Sequence, residues 1–150
     1  MIMDTGLVYI WAWLAIGLSW LWVALGQSQL AKTSIEILGK NPKLISTLRV
    51  YTILWIALVE SAVIYGLIVA LQILWAEGIH WLQALGAWLA IWLTGFWAGF
   101  GEWKMVAWSL DAVNRNPQNK TTVLQFMILF LALIEVVAIY GLIIAQKLIN

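Results

Sequence analysis

The sequence predicts an all-α membrane protein: four transmembrane helices folded as two tandem αα-hairpins. Three observations carry this. The chain of 150 residues is 64% hydrophobic and 10% charged, with mean hydropathy +0.94, against about 25% charged residues in an ordinary soluble domain. Four apolar stretches are long enough to cross a hydrocarbon core of roughly 30 Å, which takes about 20 helical residues. The chain also repeats itself at an offset of 75 residues, dividing it into a first hairpin over 1–75 and a second over 76–150.

The first span, Gly6 to Leu25, has no basic segment before it and ends in Gly26-Gln27-Ser28-Gln29 rather than in a small-residue cleavage site, so it reads as a retained helix and not as a signal sequence. Counted to Gly39 the helix has 34 residues, about 50 Å, and overruns the membrane. Its surplus carries Lys32, Glu36 and Lys40 out of the bilayer. Asn41-Pro42 then breaks the helix, because proline lacks an amide donor and pushes the preceding residue away from helical geometry. Val50 to Trp75 returns across the membrane, and Glu77 to His80 is a short connection. Trp81 to Phe100, the Asn116-Pro117 break and Val123 to Ala145 repeat the plan, with Lys104, Asp111 and Arg115 in the protruding part.

The repeat holds its distinctive residues in register. Gly26 aligns with Gly101, Asn41-Pro42 with Asn116-Pro117, Glu60 with Glu135 and Tyr65-Gly66 with Tyr140-Gly141. Resemblance between any two oily helices would not preserve these positions. An even number of crossings per copy makes the repeat parallel. Lys32, Lys40, Lys43 and Arg49 surround the first turn and Lys104, Arg115 and Lys120 the second, leaving only Lys147 elsewhere. Positive charge marks the cytoplasmic face, which places both turns inside and both termini outside.

Several function classes are excluded. Net charge is +1 and no polar Lys/Arg cluster is interleaved with aromatics, so nucleic acid is not a partner. With no cysteine and one histidine, His80, there is neither a disulfide framework nor a His/Cys metal centre.

The informative residues are two carboxylates inside the membrane, in ALVESAVIYG (57–66) and ALIEVVAIYG (132–141). A charged group near the midplane costs roughly 2.5–3.5 kcal/mol on insertion scales, so such residues face protein and bear on transport. Counting outward from the turns puts Gln27 at the depth of Glu60 and Glu102 at the depth of Glu135. Ser61 and Tyr65, spaced i and i+4, share a helix face beside Glu60. A carboxylate, an amide oxygen, hydroxyls and a carbonyl freed by local geometry can replace the hydration shell of a small cation, and oxygen-only ligands suit a hard ion or a proton.

The ordered set Gly26-Gln27, Lys40-Asn41-Pro42, Ala57 to Ser61 and Ile64-Tyr65-Gly66, with its second copy Gly101-Glu102, Arg115-Asn116-Pro117, Ala132 to Glu135 and Ile139-Tyr140-Gly141, resembles the c subunit (proteolipid) of F-type ATP synthases, taken twice. The resemblance implies a non-catalytic membrane subunit, without a cofactor, that assembles into a homo-oligomeric c-ring in lipid, first helices inside and glutamate helices outside. The ion-binding set it implies is Glu60, Glu135, Gln27, Glu102, Ser61, Tyr65, Tyr140 and Leu58. The ion, Na+ or H+, would exchange through the stator a subunit. The basic turns Lys40-Asn41-Pro42 and Arg115-Asn116-Pro117 would contact the central stalk. An energy-transducing membrane, the bacterial plasma membrane, is the expected location.

Gln27, Glu60, Ser61 and Tyr65 match a sodium-type set, but the second copy has Glu102 for Gln and Val136 for Ser. Sodium and protons both stay open. Seats in such rings lie between hairpins, so Ser61 would serve Glu102 and Glu135, and Val136 would face Gln27 and Glu60. Ten of the twelve tryptophans lie in the first helix of a hairpin. Trp22 and Trp97 are too deep to be interfacial anchors, and such bulk is expected to spread the hairpins into a wider ring or to fill its bore. Two other readings are a V/A-type rotary pump proteolipid, which often keeps one glutamate, and a small four-helix cation or drug exporter, whose acid would be expected on its first helix.

Overall fold

The computed structural model describes residues 2–150, with side chains from Gly6 onward. Four helices, α1 (Ile2–Lys40), α2 (Ile45–Trp75), α3 (Trp81–Arg115) and α4 (Lys120–Ile149), account for nearly all of it. All four are long and apolar enough to cross a membrane.

Each hairpin turns through the same device. Asn41 and Asn116 adopt φ −140° with ψ 79° and 84°, outside the helical region that a following proline disfavours. Each asparagine amide still donates to the carbonyl four residues back, at 2.7 Å to Ile37 and 3.0 Å to Ala112. A single 3₁₀ turn, Pro42–Leu44 or Pro117–Asn119, then redirects the chain. At the opposite end Gly78 has φ +71°, a left-handed conformation open to glycine at little steric cost. His80 begins α3 by accepting the Leu82 amide on Nδ1 at 3.3 Å, and the Gln83 Oε1 accepts the His80 amide at 3.0 Å. This reciprocal cap satisfies donors that a helix start leaves orphaned.

Within each hairpin a glycine lets the two backbones approach. A Cβ on Gly66 would lie 2.7 Å from the Ala15 carbonyl oxygen, and one on Gly141 would lie 2.8 Å from that of Ala90. These carbonyls also accept hydrogen bonds from Ser19 and Thr94, each at 2.7 Å. The Tyr-Gly pairs of α2 and α4 therefore hold the glutamate helices at a fixed depth against α1 and α3. Small residues at a helix seam are how membrane helices gain dispersion contact without a hydrophobic driving force.

The hairpins then pack side by side. α1 lies along α3, α2 touches both α3 and α4, and α1 and α4 scarcely meet. One core cluster near the turns includes Leu30, Tyr51, Trp55, Val106, Leu110 and Met127. A second, toward the termini, includes Ala12, Ala15, Val69, Ala84, Ala87 and Ile91. α1 and α3 meet along their lengths, and Trp11 stacks on Trp88 with ring centroids 5.1 Å apart. Trp22 and Trp103 instead line a groove of about 420 Å³ with Phe96, Gly99 and Phe100.

Candidate ion-binding site

Between the two core clusters the hairpin seam becomes polar. Glu102 of α3 is 1% exposed and lies beside Glu135 of α4. From the other hairpin, the Ser61 hydroxyl of α2 donates a hydrogen bond to Glu135 Oε1. The Tyr65 hydroxyl, one turn along α2, neighbours both Ser61 and Glu135. Three carboxylate oxygens here, both of Glu102 and Oε2 of Glu135, are buried without a hydrogen-bond partner among the described residues. Burying acceptors in this way is costly unless a positive charge or donor meets them. Four oxygen-bearing side chains with more acceptors than donors can hold a proton or a hard cation.

The same positions in the first copy are not assembled. Glu60 is exposed on the outer flank of α2, and Gln27 is half-buried on α1. Tyr140, the counterpart of Tyr65, is 62% exposed on the opposite flank of the molecule, beside half-buried Val136. Leu58 lies within α2 and packs against the core. In the turns, Lys40, Pro42, Arg115, Asn116 and Pro117 are exposed and Asn41 half-buried. His80 is a cap rather than a ligand. Its sequence signal is the His-x-x-Gln spacing at the start of an apolar run, a capping-box pattern with histidine in the usual place of serine or threonine.

The pattern extends beyond the carboxylates. The first hairpin presents Trp22, Trp55, Ser61 and Tyr65 to the second; among the described residues their counterparts Trp97, Phe130 and Tyr140 are exposed and Val136 is half-buried. Trp55 is 0% exposed and Phe130 44%, and Trp22 packs edge-on to Phe96 at 4.5 Å while Trp97 is 61% exposed. Conversely, Phe96, Glu102, Met127 and Glu135 of the second hairpin face the first, and their counterparts Leu21, Gln27, Thr52 and Glu60 lie on the open flank or are only partly covered. One interface is made inside the chain, and one complementary half of the same interface is left on each side.

Comparison with known proteins agrees with the duplicated plan. The family model for the ATP synthase c subunit matches twice, over residues 10–73 and 85–146. Among curated proteins, the chloroplastic ATP synthase c subunit of Cyanidioschyzon merolae is 39% identical over 66 residues, covering 44% of this chain and 82% of that relative. Its counterpart in Porphyra purpurea is 37% identical over 66 residues, covering 44% and 80%, and that of Emiliania huxleyi 39% over 73 residues, covering 49% and 89%. With both halves matched in turn, the chain belongs to the ATP synthase c-subunit family, in a form that carries two hairpins on one polypeptide.

Proposed function

We propose that this chain, a non-catalytic rotor-ring proteolipid of the rotary ATP synthase, carries ions across the membrane on Glu135 and Glu60. The observation that carries the reading is the seam seat, where Ser61 of one hairpin bonds Glu135 of the other beside the unpartnered Glu102 carboxyl. Bound positive charge equal to the carboxylates neutralises such a site, and a neutral site tolerates lipid, whereas a bare carboxylate is confined to places offering water or a counter-charge. A stator that supplies such a place at one point of the ring makes exchange local and rotation directional.

The Glu60 seat is completed by a second copy. Repeating the internal interface head to tail brings Tyr140 and Val136 of one chain to Glu60 and Gln27 of the next. A heterologous contact of this kind forms a closed ring when its rotation closes. Each chain then contributes one seat at its own seam and one shared with its neighbour. The exposed basic turns Lys40-Asn41-Pro42 and Arg115-Asn116-Pro117 lie on the cytoplasmic side, where the central stalk would engage them, and the termini lie outside.

Labelling with a carbodiimide, which attacks protonated carboxyls in membranes, tests the carrier role. Modification is expected at Glu60 and Glu135 and is lost in the corresponding Gln variants. No reaction at either residue would refute the proposal.

A further inference from the structure

The seam seat and the flank seat use equivalent positions with different chemistry. At the seam stand Glu102, Glu135, Ser61 and Tyr65; at the flank the equivalents are Gln27, Glu60, Val136 and Tyr140. We infer, resting on the carrier reading above, that the two seats of one chain select different ions: the seam seat takes a sodium ion, and the flank seat takes a proton alone.

Charge and ligand count carry this together. The seam holds two carboxylates, three of whose oxygens are buried without a partner among the described residues, so it reaches neutrality only with two positive charges; two protons or a sodium ion with one proton supply them, and the ligand count favours the second. The flank holds one carboxylate and is neutral with a single charge. A sodium ion in a water-poor site needs oxygens in place of its hydration shell. The seam supplies two carboxylates, the Ser61 hydroxyl and the Tyr65 hydroxyl. At the flank the Val136 methyls stand where Ser61 stands at the seam, and an amide replaces the second carboxylate. One missing oxygen on a charged partner is worth about 10- to 100-fold in affinity, and the lost carboxylate adds to it. A proton bound covalently to Glu60 asks for none of these ligands. Val136 thus acts as a specificity residue by withholding a hydroxyl, and Glu102 by adding a charge.

The test uses the full chain in its assembled form. The rate of carbodiimide modification is mapped separately to Glu60 and Glu135 by mass spectrometry, with sodium chloride compared against choline chloride at equal ionic strength. Sodium is expected to slow modification of Glu135 by about tenfold or more and to leave the Glu60 rate unchanged. Ser61→Val should abolish protection at Glu135. Val136→Ser should create protection at Glu60, with Glu135 in the same sample reporting that the protein remains folded. Equal protection of the two glutamates, protection of neither, or a Val136→Ser variant whose Glu60 stays insensitive to sodium would overturn the inference and leave the carrier reading standing. Failure of both glutamates to react would overturn the carrier reading itself.

Discussion

Replacing Gly66 by alanine perturbs the contact that sets the depth of the first glutamate helix. The new Cβ would sit 2.7 Å from the Ala15 carbonyl oxygen and 2.8 Å from Ser19 Oγ. A carbon-oxygen contact relaxes to about 3.3 Å, so α1 and α2 must separate by about 0.6 Å. The nearer obstacle is backbone in the middle of a helix and cannot rotate away. Overpacking costs typically 1–3 kcal/mol, and a backbone clash places Gly66→Ala at about 2–3 kcal/mol. Ser19→Ala in the same chain should recover only part of this, because the Ala15 oxygen remains. The assay is a dodecyl sulfate titration of the purified protein in mild detergent, read by tryptophan emission with buried Trp55 as a reporter. Gly39→Ala is the control: a Cβ there meets nothing within 4 Å, so the higher helix propensity of alanine should leave stability equal or up to about 1 kcal/mol greater. A Gly66→Ala variant within about 0.5 kcal/mol of wild type would refute close backbone approach at this seam.

Two further outcomes follow from the hydrogen-bond plan. Removing the cap with His80→Ala should cost about 1 kcal/mol at the start of α3 and speed amide exchange at Leu82 and Gln83 about fivefold, with His80→Asn restoring protection. Unchanged exchange would mean that the cap does not form. The buried Tyr51 hydroxyl donates to the Lys120 carbonyl at 2.6 Å, joining the two hairpins near their turns, so Tyr51→Phe should lower stability by about 1–2 kcal/mol in the same titration. An unshifted midpoint would mean that this tie contributes nothing.

Much of the fold was legible because punctuation survives in an oily sequence. Asn41-Pro42 and Asn116-Pro117 break helices by backbone sterics, which act identically in water and lipid, and the register of Glu60 with Glu135 exposes the duplication. Facing was harder to read. Lipid tails are as apolar as a protein core, so hydrophobic periodicity does not mark the buried side of a membrane helix. Trp22 and Trp97 are the same residue at the same position of the repeat, yet Trp22 reaches across to Phe96 of the other hairpin while Trp97 is 61% exposed. That difference comes from which side of a hairpin has a neighbour within the chain. The tight roles of Gly66 and Gly141 were equally hidden. Their Tyr-Gly context was visible, but the carbonyls of Ala15 and Ala90 that require glycine lie about 50 residues away in sequence.

Under the proposed function, each chain makes one seat by itself and shares another with the next copy. Electron cryo-microscopy of the assembled particle in detergent would show both seats at once. The expected particle is a closed ring with an even number of hairpins, Ser61 against Glu135 within each chain and Tyr140 of one chain beside Glu60 of the next. A two-fold dimer burying like flanks, or a ring in which Tyr140 and Glu60 never meet, would contradict the shared seat.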